Sequence, residues 1–273
     1  MARLAIVAED DTVWCLSAWE RAIPILLTQG HSLAGIWTCP MTLHRLRGIE
    51  IYRWYLRTFG IGDFVKLCAF ALIARLARLA LTLIGRRVGD FPGLAKQIGV
   101  PHLTCASPND PEIIEWLRRN RVDILLIMTG FILKKPVLIA PQIGTINKHG
   151  GALPANRGLF SYFWAFLAGD PQGLTFHKVT PEIDRGGILV QDLDIPAVAL
   201  TSMVSFYLYI YGLFRDRLPQ AITNCIEGRE LEPLPGIRPS YHGLPCRKDV
   251  AHFRSKGGMI IRLHDVWRAV RLL

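Results

Sequence analysis

Pro111-Glu-Ile-Ile-Glu-Trp-Leu-Arg-Arg-Asn-Arg-Val122-Asp-Ile-Leu-Leu-Ile-Met128 decides the fold class. Pro111–Arg119 reads as a helix, with Asn109 or Asp110 as its cap. Val122–Met128 reads as a buried strand, apolar without the alternation of a half-exposed one. Working outward, Leu4–Ala8 is a short apolar strand, Ala18–Leu27 has helical spacing up to the stop signal Gln29-Gly30, and Ser32–Trp37 is a second strand. Downstream, Val100–Thr104, Ile143–Asn147, Gly173–His177 and Ile188–Ile195 read as strands, Leu159–Leu167 as a helix and Ser202–Ile226 as a long helix. Strands alternating with helices predict an α/β fold, a mostly parallel twisted sheet with helices on both faces. Residues 1–227 are expected to form this domain, with a helical insertion at about 41–98. Pro233, Pro235 and Pro239 then break the pattern, and 228–273 reads as a short basic C-terminal extension.

The 273 residues, 51% hydrophobic and 20% charged, suit one large domain with a modest appendage and exclude a disordered, collagen-like or minimal disulfide-scaffold chain. Thirty-two Lys and Arg against 22 Asp and Glu give a net charge of +10, which favours anionic partners. The six cysteines are scattered, with no CxxC and no Cys/His spacing for zinc, so no metal site is expected. The opening strand runs straight into Glu9, Asp10 and Asp11 rather than a secretory signal, so reduced thiols and a cytoplasmic location are expected. No GxGxxG follows the first strand and no GxxxxGK[ST] occurs, which leaves dinucleotide and P-loop ATP sites unsupported.

Phe64–Ile84 is almost wholly apolar apart from Lys66, Arg75, Arg78 and Thr82. On a helical wheel Arg75, Arg78, Thr82 and Arg86 share a face, while Leu72, Ile73, Leu76, Leu79, Leu83 and Ile84 lie largely elsewhere. The first reading is an amphipathic helix packed on the protein's own core. A helix lying in a membrane interface is the alternative over 64–87, and two central arginines argue against a span.

The stretch richest in chemistry is Thr145-Ile-Asn-Lys-His-Gly-Gly-Ala-Leu-Pro-Ala-Asn-Arg-Gly158. Asn147 and His149 share one side of a strand because strand side chains alternate, and a Gly/Pro loop follows. An amide donor suits a developing oxyanion; an imidazole near neutrality moves protons. A second element, Thr175-Phe-His-Lys-Val-Thr-Pro-Glu-Ile-Asp-Arg-Gly-Gly187, brings Asp184 on a loop, suited to orienting His149 or a water. His177 reads as a packed histidine, Arg157 equally as a phosphate contact or a loop brace, and Glu182 and Arg185 as solvated. Glu9, Asp10 and Asp11 sit at the end of the first strand, where open α/β sheets bind ligands, and their acidity suits an amine substrate; Trp14 nearby reads first as core packing, with stacking on a nucleobase or sugar as the alternative.

At these residues the chain resembles the formyltransferases that use 10-formyltetrahydrofolate, a family that includes glycinamide ribonucleotide, methionyl-tRNA and sugar-amine N-formyltransferases. The resemblance is carried by Asn147-Lys-His149, Leu153-Pro154-Ala-Asn-Arg157-Gly158, Trp164-Ala165, Gly173-Leu-Thr175-Phe-His177 and Asp184-Arg-Gly186, and less strongly by Ser240-Tyr241…Pro245…Phe253-Arg-Ser-Lys-Gly257. Gly151, Asn156, Ser161 and Lys148 depart from the Ser, Tyr, Pro and apolar residue usual in the family. The resemblance implies a Rossmann-like fold and direct transfer to a primary amine, with Asn147 and protonated His149 stabilising the oxyanion and Asp184 orienting His149. It implies folate held mainly by backbone of Met128, Gly130, Phe131, Ile132 and Leu133 and of Val179, Thr180 and Ile183. The acceptor is expected near Asp10, Asp11, Trp14, Leu153, Pro154, Arg157 and Gly158.

About 45 residues follow the long helix, too few for the C-terminal barrel of the methionyl-tRNA enzymes, so no specific nucleic acid is expected as a partner. The glycinamide ribonucleotide enzymes lack an insertion like 41–90. A nucleotide- or lipid-linked amino sugar of envelope glycan synthesis is therefore the expected acceptor. Methionyl-tRNA or another small amine, a 10-formyltetrahydrofolate hydrolase and a non-catalytic folate-binding protein are the alternatives.

Overall fold

The computed structural model describes residues 1–273. Seven strands form one sheet: β1 (Arg3–Glu9), β2 (Ser32–Cys39), β3 (His102–Thr104), β4 (Ile124–Met128), β5 (Gly144–His149), β6 (Leu174–Lys178) and β7 (Ile188–Asp192). Their order is β7-β6-β5-β4-β1-β2-β3. The strands β3 to β5 along this order run parallel, and β6 and β7 join antiparallel at one edge. All five residues of β4 are buried, as a central strand covered on both faces requires.

Besides a single turn at Lys135–Leu138, the helices are α1 (Cys15–Thr28), α2 (Ile49–Phe59), α3 (Ile61–Leu83), α4 (Phe91–Ile98), α5 (Pro111–Arg119), α6 (Ser161–Ala168), α7 (Met203–Ile226), α8 (Arg247–Ser255) and α9 (Leu263–Trp267). Helix α1 begins three residues before the expected Ala18. The carboxylate of Asp11 accepts from the N–H groups of Val13, Trp14 and Cys15 at 2.9–3.2 Å and so supplies its cap. Helix α7 is capped by Ser202, whose Oγ accepts from Ser205 N–H at 2.9 Å. The larger core packs α1, α3 and α7 on one face of the sheet, and a smaller one packs α5 on the other.

Residues 41–98 hold a short hairpin (Thr42–Leu43 with Leu46–Arg47) and then α2, α3 and α4. The C-terminal stretch packs on the core. Val250, Phe253, Ile260, Ile261, Val266, Ala269 and Leu272 are buried within the main cluster. Asp265, fully buried, accepts from the hydroxyls of Ser202 and Ser205 at 2.6 and 2.8 Å and pins α9 to the start of α7.

Helix α3 packs on the main core, as its first reading has it, but with an arginine on the buried side. Its buried residues are Phe70, Ala74 and Arg78, whereas Leu72, Leu76, Leu79 and Leu83 face outward. Arg78 turns inward because its partners are there. Its guanidinium meets Glu20 at 3.2 Å, Ser17 Oγ at 2.6 Å and the Val88 carbonyl at 2.8 Å. Burial lowers the Arg78 pKa, but Glu20 supports the charged form, so Arg78 alone of the arginine face turns toward α1, while Arg75 and Arg86 stay exposed.

Candidate active site

A cavity of about 320 Å³ opens at the carboxyl ends of β1, β4 and β5, within the range of small-molecule sites. The chain enters the sheet at β1, moves outward to β2 and β3, and returns to β4 on the other side of β1. Such a reversal leaves a crevice beyond the strand ends.

Three segments line it. The end of β5 brings Asn147, Lys148 and His149; the loop after β4 brings Met128 to Leu133; the loop after β6 brings Val179 to Asp184. All the residues expected to do chemistry and all those expected to hold a folate by backbone therefore meet in one cavity. The acceptor expectations divide. Gly158 lines the cavity, but Leu153, Pro154 and Arg157 border a separate cleft with Arg185, Glu230 and Glu232. Arg157 braces the loop by donating Nε–H to the Ser240 carbonyl at 3.2 Å. Asp11 is taken up in capping α1, Asp10 is exposed, and Trp14 packs against Phe70 and Tyr211 at 5.2 and 5.1 Å. Of the three acidic residues at the end of β1 it is Glu9 that reaches the cavity, accepting from the N–H of Gly130 and of Thr42 at 3.0 and 2.9 Å.

His149 is buried. Its Nε2 lies 3.0 Å from the Asn156 carbonyl oxygen, which can only accept, so the neutral ring carries its proton there. Its Nδ1 lone pair then faces Asp184 Oδ2 at 3.5 Å. Burial pushes the imidazole down to about 4, against the pull of Asp184, so the ring is neutral at pH 7. The expected protonated His149 is thus not its resting state, because the fully enclosed ring loses more hydration than one carboxylate returns.

His177 was read as a packed histidine, and its burial agrees; the structure also sets its Nε2 3.4 Å from Asp184 Oδ1. Its other nitrogen donates to the Lys178 carbonyl at 2.8 Å. The cross-strand register that places His177 directly opposite Asn147 has no local signature in the sequence. Burial alone would raise the Asp184 carboxyl, but His177, His149 and the Gly158 N–H, which donates at 2.8 Å, together bring it down to about 2. Asp184 holds a left-handed backbone (φ 49°), and the loop beyond it lies so close to β6 that a Cβ on Gly186 would collide with the Lys178 carbonyl. Asp-x-Gly is the chemical form of that close approach.

The departures near His149 fit one another. A Cβ on Gly151 would stand 2.9 Å from Ser161 Cβ and 3.0 Å from His149 Nε2. Ser161 in turn donates its hydroxyl to the Gly150 carbonyl. Lys148 points to the other side of β5, its Nζ 3.7 Å from the centroid of the Tyr211 ring, and burial pushes its ammonium down to about 8.

The neutral ring has a measurable consequence. In the unfolded chain a histidine binds a proton below about pH 6.5, but folded His149 does so only below about 4. Between these values the unfolded state holds more protons, so this contribution to stability is present above 6.5 and is lost as pH falls toward 4, by on the order of 3 kcal/mol. Urea unfolding at pH 7 and 4.5 is expected to show a clearly smaller acid loss for His149→Gln than for wild type. Equal losses would mean that the ring is not held neutral.

A family profile described as formyl transferase matches residues 89–205. The methionyl-tRNA formyltransferase of Akkermansia muciniphila is 31% identical over 225 residues, 76% of this chain and 71% of that protein. That of Chloroflexus aggregans is 35% identical over 136 residues, 48% of this chain and 44% of that protein. Against this and another of its relatives, from Desulfotalea psychrophila, the chain spans less than half of their length (44% and 42%). Two solved structures share the fold. Glycinamide ribonucleotide transformylase 1 from Symbiobacterium toebii gives a TM-score of 0.55 at 17% identity, covering 85% of this chain and 91% of that one. A sugar N-formyltransferase from Shewanella sp FDAARGOS_354 gives 0.55 at 15%, covering 100% and 88%. With the Asn147, His149 and Asp184 constellation assembled at the strand ends and a relative aligned over most of both chains, this protein belongs to the formyltransferase family.

Proposed function

We propose that this protein transfers the formyl group of 10-formyltetrahydrofolate to a primary amine, and that the amine belongs to an amino sugar. The observation that carries the transfer is the pairing of one ionised carboxylate, Asp184, with two buried imidazoles. A neutral His149 whose open nitrogen faces that carboxylate is ready to take a proton, because the imidazolium so formed gains the ion pair the neutral ring lacks. The donor fits the cavity. The two loops, Met128 to Leu133 and Val179 to Asp184, offer peptide groups beside apolar Met128, Leu133 and Val179, which suits a flat ring system with polar edges. When bound, 10-formyltetrahydrofolate supplies the carbon that the acceptor nitrogen attacks. Asn147 donates its amide N–H to the oxygen that gathers negative charge, and His149, steadied by Asp184, accepts the proton shed by the nitrogen and returns it to the leaving amine.

The acceptor side supports a sugar. Phe160, Tyr207 and Tyr211 form its walls, faces on which a sugar ring can stack. Helix α1 would ordinarily offer its N-terminus to a phosphate, but Asp11 already fills it. A diphosphate linkage then has Lys148 as its cation, with Nζ held over Tyr211. A nucleotide- or lipid-linked amino sugar carries both features. The six unpaired thiols suit work in a reducing cytoplasm. Methionyl-tRNA is the second reading, favoured by the names of the relatives and by the +10 charge.

The test is release of tetrahydrofolate from 10-formyltetrahydrofolate with UDP-linked amino sugars, a polyprenyl-diphosphate amino sugar, methionyl-tRNA or no acceptor. Turnover is expected with an amino sugar, and Lys148→Met is expected to raise KM for that acceptor at least tenfold with kcat little changed. Turnover with methionyl-tRNA alone would replace the acceptor. Formate release without any acceptor would indicate hydrolysis, and donor binding without turnover across the panel would indicate a binding protein.

A further inference from the structure

We infer that the outer face of α3, with the chain end packed beside it, is a docking surface for an anionic lipid bilayer. The face is built from Ile61, Val65, Leu72, Leu76, Leu79 and Leu83, all exposed, the last four between 56% and 78%. At 100° per residue these positions fall within one narrow stripe, and 23 residues at 1.5 Å per residue extend it over about 35 Å. This inverts the usual order of a globular surface, because the same helix buries an arginine and exposes four of its six leucines. Soluble surfaces rarely leave so long an apolar face uncovered without a partner.

The flanks say what covers it. Helix α9 and the turn after it pack along α3 and carry Leu263, Trp267 and Val270 to the surface, Trp267 being 69% exposed. Arg75, Arg86, Arg262 and Arg271 are exposed around these apolar groups. The nearby carboxylates are already engaged: Asp63 by Lys66 and Arg254, Glu20 by Arg78, and Asp265 by Arg268. The rim is therefore cationic. A second copy meeting this face about a two-fold axis would set arginines against arginines, whereas an anionic headgroup layer complements them. Leucines, a tryptophan at the boundary and a basic border are the composition of a helix lying in the interfacial plane. No helix of the chain is long and apolar enough to cross a membrane, so the contact is peripheral.

The placement reaches the cavity. The inner side of α3 stacks Phe70 on Trp14, and Trp14 touches Tyr211, which lines the acceptor side. The rings of Phe70, Trp14 and Tyr211 thus link the inner side of α3 to the cavity wall, which favours a lipid-linked amino sugar over a free nucleotide sugar. The lipid-linked acceptor rests on the formyl-transfer reading, whereas docking itself does not.

Flotation of the full-length protein with vesicles tests docking without any need for turnover. With 30% phosphatidylglycerol in phosphatidylcholine at low salt, the wild type is expected to float, and with phosphatidylcholine alone or at 0.5 M salt to float at least tenfold less. The variant Leu72→Glu/Leu76→Glu/Leu79→Glu changes only exposed side chains and is expected to stay at the bottom while keeping its circular dichroism and donor binding. Arg75→Ala/Arg86→Ala is expected to weaken flotation without changing the fold. Failure of the wild type to float would overturn the inference, as would a dimer in sedimentation velocity that the triple glutamate variant dissociates. If docking holds but no formyl transfer is found, only the choice of a lipid-linked acceptor falls.

Discussion

Asp184→Asn is expected to lower kcat for formyl transfer about a thousandfold while leaving donor binding within a few-fold. The asparagine is nearly isosteric, and its carbonyl oxygen can still accept from the Gly158 N–H that Asp184 engages at 2.8 Å. What disappears is the negative charge between His149 Nδ1 and His177 Nε2, 3.5 and 3.4 Å away. Burial already disfavours the imidazolium of His149, holding its pKa at about 4, and Asp184 is the main group opposing that effect. Without the carboxylate the ring becomes a still weaker base, and loss of a positioned acid–base partner typically costs about 10²–10⁴ in rate. His149→Ala should fall in the same range, and the double variant little further, because the two act as one unit. Single-turnover rates across pH 5–9 are the measurement. Independent, multiplicative losses would show that Asp184 and His149 do not act through each other.

Arg78→Leu is expected to destabilise the fold by about 3 kcal/mol, which at about 2–4 °C per kcal/mol lowers Tm by about 6–12 °C. The side chain is 3% exposed and ties α3 to α1 through Glu20 and Ser17, with the Val88 carbonyl beyond. Removing one member of a buried pair leaves the other desolvated and uncompensated. Glu20 keeps Arg87 at 3.7 Å and the Val88 N–H at 3.0 Å, which places the loss at the lower end of the usual range. Neutralising the orphan should recover part of it, so Glu20→Gln/Arg78→Leu is expected to be more stable than Arg78→Leu in urea unfolding. A single variant as stable as wild type would mean that Arg78 reaches solvent.

These two residues mark opposite ends of what the sequence discloses. Asp184 was suggested by a carboxylate on a loop and by the resemblance, whose Asp-x-Gly follows Thr-x-His, and the structure gives that pattern a local constraint, the close pass of Gly186 over Lys178. Asn147 and His149 were legible for the same kind of reason, since alternation along a strand puts them on one side. Arg78 was not. The wheel separated arginines from leucines correctly, but nothing in α3 itself says which side meets the core, and the ordinary preference for burying leucine points the wrong way. Glu20, 58 residues away, decides it. Asp11 was misplaced for a local reason: its position after β1 suggested a ligand, whereas its carboxylate caps amides only two to four residues on, and Trp14 takes the core packing that was its first reading, against Phe70 and Tyr211.

The alternation of apolar runs with helical spacing was enough to specify a mostly parallel α/β sheet, to put Asn147 and His149 at a strand end and to put Asp184 on the loop after β6. Those are properties of short stretches, and short stretches carry their own periodicity. The neutrality of His149, the approach of His177 to Asp184, the inward turn of Arg78 and the outward turn of the α3 leucines were decided by tertiary structure alone. Each depends on desolvation and charge pairing between residues distant in the chain, and those energies come into being only when packing excludes the water between them.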